Sequence, residues 1–157
     1  MAADVSFDLQ PALTDFFKLF VAYILAFPVG YAREKTSHSV GVRTFPIVCM
    51  ACCGLLMLIR SQTPSPDALS RVLQGLATGI GFVGGGAILK DDRGMVHGTA
   101  TAASVWSIGV VGAAVGIGAY PIAIGLSLFN YISLAYSHRL KTLAEKNSVP
   151  GKVSPDD

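Results

Sequence analysis

Two short stretches gather charged and hydroxyl side chains in the same order. Arg33 and Glu34 are followed by Gly41, Arg43 and Thr44. Lys90, Asp91 and Asp92 are followed by Gly98, Thr99 and Thr101. Each stretch reads base, acid, a short gap, then a glycine and a hydroxyl. A shift of 57 residues lays Arg33 on Lys90, Glu34 on Asp91, Gly41 on Gly98 and Thr44 on Thr101. Such an echo suggests a parallel internal repeat. Arginines beside helix N-termini favour an anion or a partner's acidic group. The plainer reading is that Arg and Lys at span ends snorkel to the interface with acids beside them, while Thr99 and Thr101 cap a helix.

Other chemistries find less support. His38, His97 and His138 fit no metal-ligand spacing and read as solvated loop histidines. Cys49, Cys52 and Cys53 lie in the apolar run IVCMACCGLLML. One CxxC half cannot complete a four-ligand zinc site, so these read as small packing residues. GIGFVGGG at 79–86 has the glycine density of a phosphate cradle, but no Lys-Ser/Thr follows and no strand precedes it. With no nucleophile–base pair or metal set, catalysis is not expected, and neither a cofactor nor a metal is called for. Lys and Arg do not cluster as a nucleic-acid footprint would require.

The elements that must hold these residues are membrane spans. Of 157 residues 52% are hydrophobic and only 14% charged, well below the ~25% of ordinary soluble domains, and the mean hydropathy is +0.54. The first eleven residues carry two acids and no base, unlike a secretory leader. Five apolar segments are expected to cross the bilayer: about Pro11–Tyr31, Thr44–Ile59, Val72–Leu89, Gly98–Gly118 and Tyr120–Ser137. Pro28 should kink the first, and Pro46 sits harmlessly in the first turn of the second. The fold expected is an all-α integral membrane bundle of five transmembrane helices. Residues 1–138 form its membrane domain, and residues 139–157 a short disordered tail.

Charge sets the orientation. Arg33, Lys35, Arg43, Lys90, Arg93, Arg139, Lys141, Lys146 and Lys152 all fall on one side. Only Arg60 and Arg71, with Lys18 near the start of span one, fall on the other. The positive-inside rule puts the N-terminus outside and the C-terminus in the cytoplasm. Arg33, Glu34, Arg43, Thr44, Asp91, Thr99 and Thr101 then gather at the cytoplasmic face as the candidate functional cluster, and the opposite face has no comparable set.

Small residues serve packing, because helices in lipid gain little from burying leucine and associate through close backbone approach. Gly75, Gly79, Gly81 and Gly85 in span three, with Gly98, Gly109, Gly112 and Gly116 in span four, are expected to make spans three and four a close-packed pair. A bulky side chain at Gly85 should break it. A helix break near Gly84–Gly86 would instead free carbonyls for an ion site. Trp106 reads as a packing residue, and Asn130 as a hydrogen bonder between helices. A homo-oligomer could use the same glycine faces.

In order, the motifs resemble those of the MgtC/SapB family of bacterial inner-membrane proteins. G-x-x-R-E is matched by Gly30, Arg33 and Glu34, and G-x-R-T by Gly41, Arg43 and Thr44. G-I-G-F-x-G-x-G is matched by Gly79, Ile80, Gly81, Phe82, Gly84 and Gly86. The entry to span four is matched by Gly98, Thr101, Ala102, Ala103 and Trp106, with Thr99 and Ala100 departing from the family's Leu-Thr. The resemblance implies a non-enzymatic regulator linked to low-magnesium adaptation and virulence. It implies a membrane-protein partner such as the F-type ATP synthase, with membrane lipids around it. A Mg²⁺ or other ion transporter or channel is the alternative. Longer relatives carry a cytoplasmic domain after the spans.

Overall fold

The computed structural model describes residues 9–34, 41–62, 65–92 and 94–147, the stretch 137–147 by its backbone alone. Lys35, His38, Arg93, Lys152 and the tail 148–157 lie outside the described residues. The order is α1 (Leu9–Glu34), α2 (Thr44–Gln62), α3 (Pro66–Gly85), β1 (Leu89–Lys90), β2 (Val96–His97), α4 (Thr99–Ile117) and α5 (Tyr120–Asn147).

The all-α expectation holds but for a two-stranded antiparallel ribbon, with Leu89 opposite His97 and Lys90 opposite Val96. Three helices are long and apolar enough to cross a membrane: α1, α2 and α4, with mean hydropathies of 1.7, 1.8 and 1.7. Among the described residues α3 and α5 do not reach that level. Gln74, Thr78 and Arg71 dilute α3, and Tyr120, Pro121, Ser127, Asn130, Tyr131 and Ser133 dilute the apolar part of α5. Two boundaries also differ from expectation. α3 starts at Pro66, because Ser65 Oγ accepts from Ala68 N (3.2 Å), Pro66 follows, and Asp67 stands in the first turn; this is a capped helix start. α5 runs on to Asn147 rather than ending at Ser137.

The core is built around α4. Thr101, Ser104, Val105, Ile108, Val111 and Val115 are all buried, as befits a central helix that is apolar on every side. Around it pack Ala22, Ala26 and Val29 of α1, Phe45, Cys49, Cys53 and Leu56 of α2, and Ile80 of α3. Ser127 Oγ of α5 donates to Leu25 O of α1 (2.6 Å), and Asn130 Nδ2 to Ser104 O of α4 (3.4 Å). Asn130 thus bonds between helices as expected. Trp106 does not pack inward; it is 48% exposed. Phe16, Phe17 and Phe20 of α1 and Phe129 of α5 are more than half exposed, a lipid-facing surface.

The glycine pair is corrected. α4 packs most tightly on α2, which runs parallel to it, and not on α3. A Cβ at Gly112 would strike the Cys49 carbonyl oxygen; one at Gly116 would lie 2.7 Å from the Cys53 carbonyl oxygen and 2.9 Å from Leu56 Cβ. Cys-x-x-x-Cys of α2 therefore faces Gly-x-x-x-Gly of α4, and the buried free cysteines are packing residues. α3 meets α4 antiparallel at two points: a Cβ at Gly84 would lie 3.1 Å from the Ala102 carbonyl oxygen, and Gly109 holds the Ile80 side chain. A Cβ added at Gly75, Gly79, Gly81 or Gly85 would meet nothing within 4 Å outside its own helix turn. The motif marks a small face without saying which helix fills it.

Candidate functional site

The predicted cluster gathers at one end of the bundle, but as two separate heads. In the first head, Glu34 Oε2 at the end of α1 accepts from Val42 N (3.0 Å), just ahead of α2. Phe45 N donates to Gly41 O (3.2 Å) and Ile47 N to Arg43 O (3.4 Å), starting the helix. A carboxylate from one helix therefore caps the next, where the N-terminal dipole favours negative charge. Gly41 lies against the Glu34 carboxylate, and a Cβ at Gly30 would lie 3.2 Å from the Gly41 carbonyl oxygen and from Phe45 Cβ. This explains the spacing of Gly30, Glu34 and Gly41: two glycines let the strands of the turn touch, and the acid closes it.

The second head repeats the device in a different form. Asp91 Oδ1 accepts from Met95 N (2.8 Å), and Asp91 O from Gly94 N (2.9 Å). Asp91 Oδ2 pairs with His97 Nε2 at 3.1 Å. Gly98 enters α4 with φ +89° and lies against the Ala87 carbonyl oxygen, so its positive φ and this close approach both require glycine. Gly30–Gly41 and Ala87–Gly98 are the same two positions under the 57-residue shift, so the repeat has a geometric counterpart.

The remaining cluster residues are placed but not joined. Arg43 and Thr99 are exposed, and Thr44 is half-buried. Arg33 is half-buried with its Nε enclosed and without an acceptor among the described residues; the buried Thr101 Oγ1 is likewise unmatched. Neither arginine forms an ion pair among the described residues. His97 is not a free loop histidine, because Asp91 holds it. No group of three or more His, Cys, Asp and Glu side chains gathers among the described residues.

The opposite end does hold a polar set, contrary to the sequence expectation. Asp15 and Lys18 of α1 and Arg60 and Ser61 of α2 line a cavity of about 470 Å³ with Gly54, Gly116 and Ile117. Arg60 Nη1 donates to Ile117 O at the end of α4 (2.7 Å). Asp15 and Lys18 stand three apart on one helix face, a signal visible in the sequence. Arg60 joins them only through the fold.

A second hollow of about 450 Å³ lies between α2 and α3 and is nearly all apolar. Ala51, Cys52, Leu55, Gly75, Gly79 and Val83 line it. Gly75 and Gly79 are two of the unfilled glycines, so the hollow is a groove with a small-residue wall.

Comparison with known proteins covers most of the chain. The sequence profile of the MgtC family matches residues 19–143. "Protein SrpB" of Synechococcus elongatus is 31% identical over 140 residues, 82% of this chain and 77% of that protein. "Protein MgtC" of Salmonella typhimurium is 29% identical over 110 residues, 70% of this chain and 46% of that protein. "Putative magnesium transporter YhiD" of Escherichia coli is 30% identical over 132 residues, 78% of this chain and 60% of that protein. The chain thus spans about half the length of the Salmonella relative. No solved structure matches it.

Proposed function

Because this chain belongs to the MgtC family, we propose that it is a non-enzymatic regulator of the bacterial inner membrane that acts by docking a transmembrane helix of another membrane protein. The observation that carries this reading is the groove between α2 and α3. Gly75 and Gly79 line it, and a Cβ at either would meet nothing within 4 Å, although close approach at small residues is what drives helix association in lipid. A family member that leaves such a wall open has a place for a partner helix. By the family resemblance that partner is the F-type ATP synthase, and the setting is adaptation to low magnesium and virulence. The N-terminus is periplasmic and the C-terminus cytoplasmic, so the Glu34 and Asp91 heads face the cytoplasm. There Arg33 and Arg43 engage acidic groups of the partner.

Transport is the second reading, and the name of the Escherichia coli relative favours it. Mg²⁺ wants near-octahedral oxygen ligands, usually with one or two carboxylates. Among the described residues the intramembrane acid is Asp15, and it shares its cavity with Lys18 and Arg60. That environment repels a divalent cation.

Photo-crosslinkers placed at Ala51 and Val83, on opposite walls of the groove, should capture one defined membrane protein from native membranes. Purified chain in liposomes with an entrapped Mg²⁺ dye should stay silent. Saturable Mg²⁺ flux without any crosslinked partner overturns the regulator reading. A crosslink to a second copy of the chain makes the groove a self-association site instead. Reporter fusions at Ser65 and at the C-terminus test the orientation, with activity outside the cytoplasm expected at Ser65 alone. If Arg33→Lys and Arg43→Lys fully complement a deletion strain, the two arginines are anchors, since lysine keeps the charge and loses the planar fork.

A further inference from the structure

The cavity at the Arg60 end has no part in the reading above, and its chemistry is specific. We infer that it binds a singly charged phosphodiester through Lys18 and Arg60, with Asp15 setting the charge. A phospholipid head group and a free phosphodiester share this chemistry.

Lys18 is half-buried and, like Asp15, has no hydrogen bond or ion pair among the described residues. An intramembrane ionisable group without a partner marks a functional site by default. Lys18 lies roughly 14 Å along α1 from Leu9 and roughly 24 Å from Glu34, at 1.5 Å per residue. With a hydrocarbon core of ~30 Å and Glu34 at its inner edge, Lys18 stands roughly 6 Å inside the outer edge, within snorkelling reach of the head groups. Arg60 is held in place: its Nη1 donates to Ile117 O at 2.7 Å, where the C-terminal carbonyls of α4 favour a cation. That bond uses one of the five guanidinium donors. The others have no acceptor among the described residues, and a fixed planar fork is suited to phosphate oxygens. Gly54 keeps the floor open: a Cβ there would meet only Leu19 Cδ2 within 4 Å, at 3.8 Å.

Charge narrows the ligand. Two cations and one acid leave a net +1 around the cavity, which a phosphodiester at −1 balances. A dianionic phosphate monoester would face Asp15 with surplus charge. A divalent cation would meet two positive groups and one carboxylate, too few oxygens for either Mg²⁺ or Ca²⁺. About 470 Å³ falls within the ~300–1,000 Å³ of small-molecule sites, room for a diester with its glycerol.

The test uses the full chain, purified in detergent and stripped of lipid. Phosphatidylglycerol, phosphatidylcholine, glycerophosphoglycerol and inorganic phosphate are titrated separately, read by thermal unfolding and by native mass spectrometry. Phosphatidylglycerol should bind saturably, and Lys18→Met and Arg60→Gln should each weaken it tenfold or more. Lys90→Gln, at the other end, should leave it unchanged. Asp15→Asn should raise the relative affinity for inorganic phosphate. Binding by glycerophosphoglycerol alone, at the strength of the lipid, assigns the free diester as the source; binding by the lipid only assigns the membrane. Should Lys18→Met fail to fold, Lys18→Arg must retain binding, and lipid adducts on the wild-type chain must be competed by the diester. Equal binding in wild type and Lys18→Met, or in Lys18→Met and Lys90→Gln, overturns the proposal.

Discussion

α4 and α3 each carry a pair of glycines four residues apart, and the two pairs lead different lives. Gly112 and Gly116 of α4 rest on the backbone of α2 at Cys49 and Cys53. Gly75 and Gly79 of α3 rest on nothing within 4 Å. In lipid a small-residue face is a capacity for close approach. Inside this bundle α4 uses that capacity, while α3 keeps it unfilled. The same motif is therefore architecture in one helix and an open surface in the other.

Five substitutions sharpen or break that contrast. Gly112→Leu should have the largest effect, because its side chain meets a backbone carbonyl that cannot turn aside. The cost should exceed the about 1–3 kcal/mol of ordinary overpacking, and little folded protein should survive purification. Gly75→Leu, chemically the same change, should melt like wild type; if it unfolds the chain, the contrast is wrong. Gly98→Ala comes next. Positive φ costs a side-chain-bearing residue about 1–2 kcal/mol, and the Ala87 carbonyl adds to this, so a clear drop in melting temperature is expected. Gly79→Leu should leave the melting temperature within error and abolish groove crosslinks. Glu34→Gln should have a small effect. It keeps an acceptor for Val42 N and loses the charge at the start of α2, a loss of about 0.3–1 kcal/mol, visible as a shift that salt diminishes.

What was legible in the sequence follows the same physics. The apolar stretches that became α1, α2 and α4 announce themselves because the bilayer demands a long apolar run of each helix by itself. Glu34, Gly41, Asp91 and Gly98 were legible as paired heads because turns are local. The α2–α4 pairing was not, because a small face does not name its partner. The register was nevertheless present, as Cys49 and Cys53 four apart. The start of α3 at Ser65-Pro66-Asp67 was also written in the sequence but lay hidden in what reads as a turn-rich loop. The two-residue strands around Gly94 are too short to show alternation. Asp15, Lys18 and Arg60 belong to two helices, and only the fold makes them neighbours. Arg33 and Arg43 are placed at the expected end, and their role awaits the lysine variants.

The parallel arrangement of α2 and α4 also governs timing. Antiparallel neighbours such as α1 and α2 close as soon as their turn is made, but parallel helices wait for an intervening segment to return the chain. Cys49 and Gly112 are about sixty residues apart. At synthesis rates of roughly 5–20 residues per second, the cysteine face of α2 stands bare for roughly 3–12 seconds before its glycine counterpart exists. α3 arrives in that interval without the means to cover it, since its own glycines point elsewhere. The tightest seam in the bundle thus waits longer than a helical hairpin does, and until then the newborn α2 depends on lipid or on the insertion machinery to shield it.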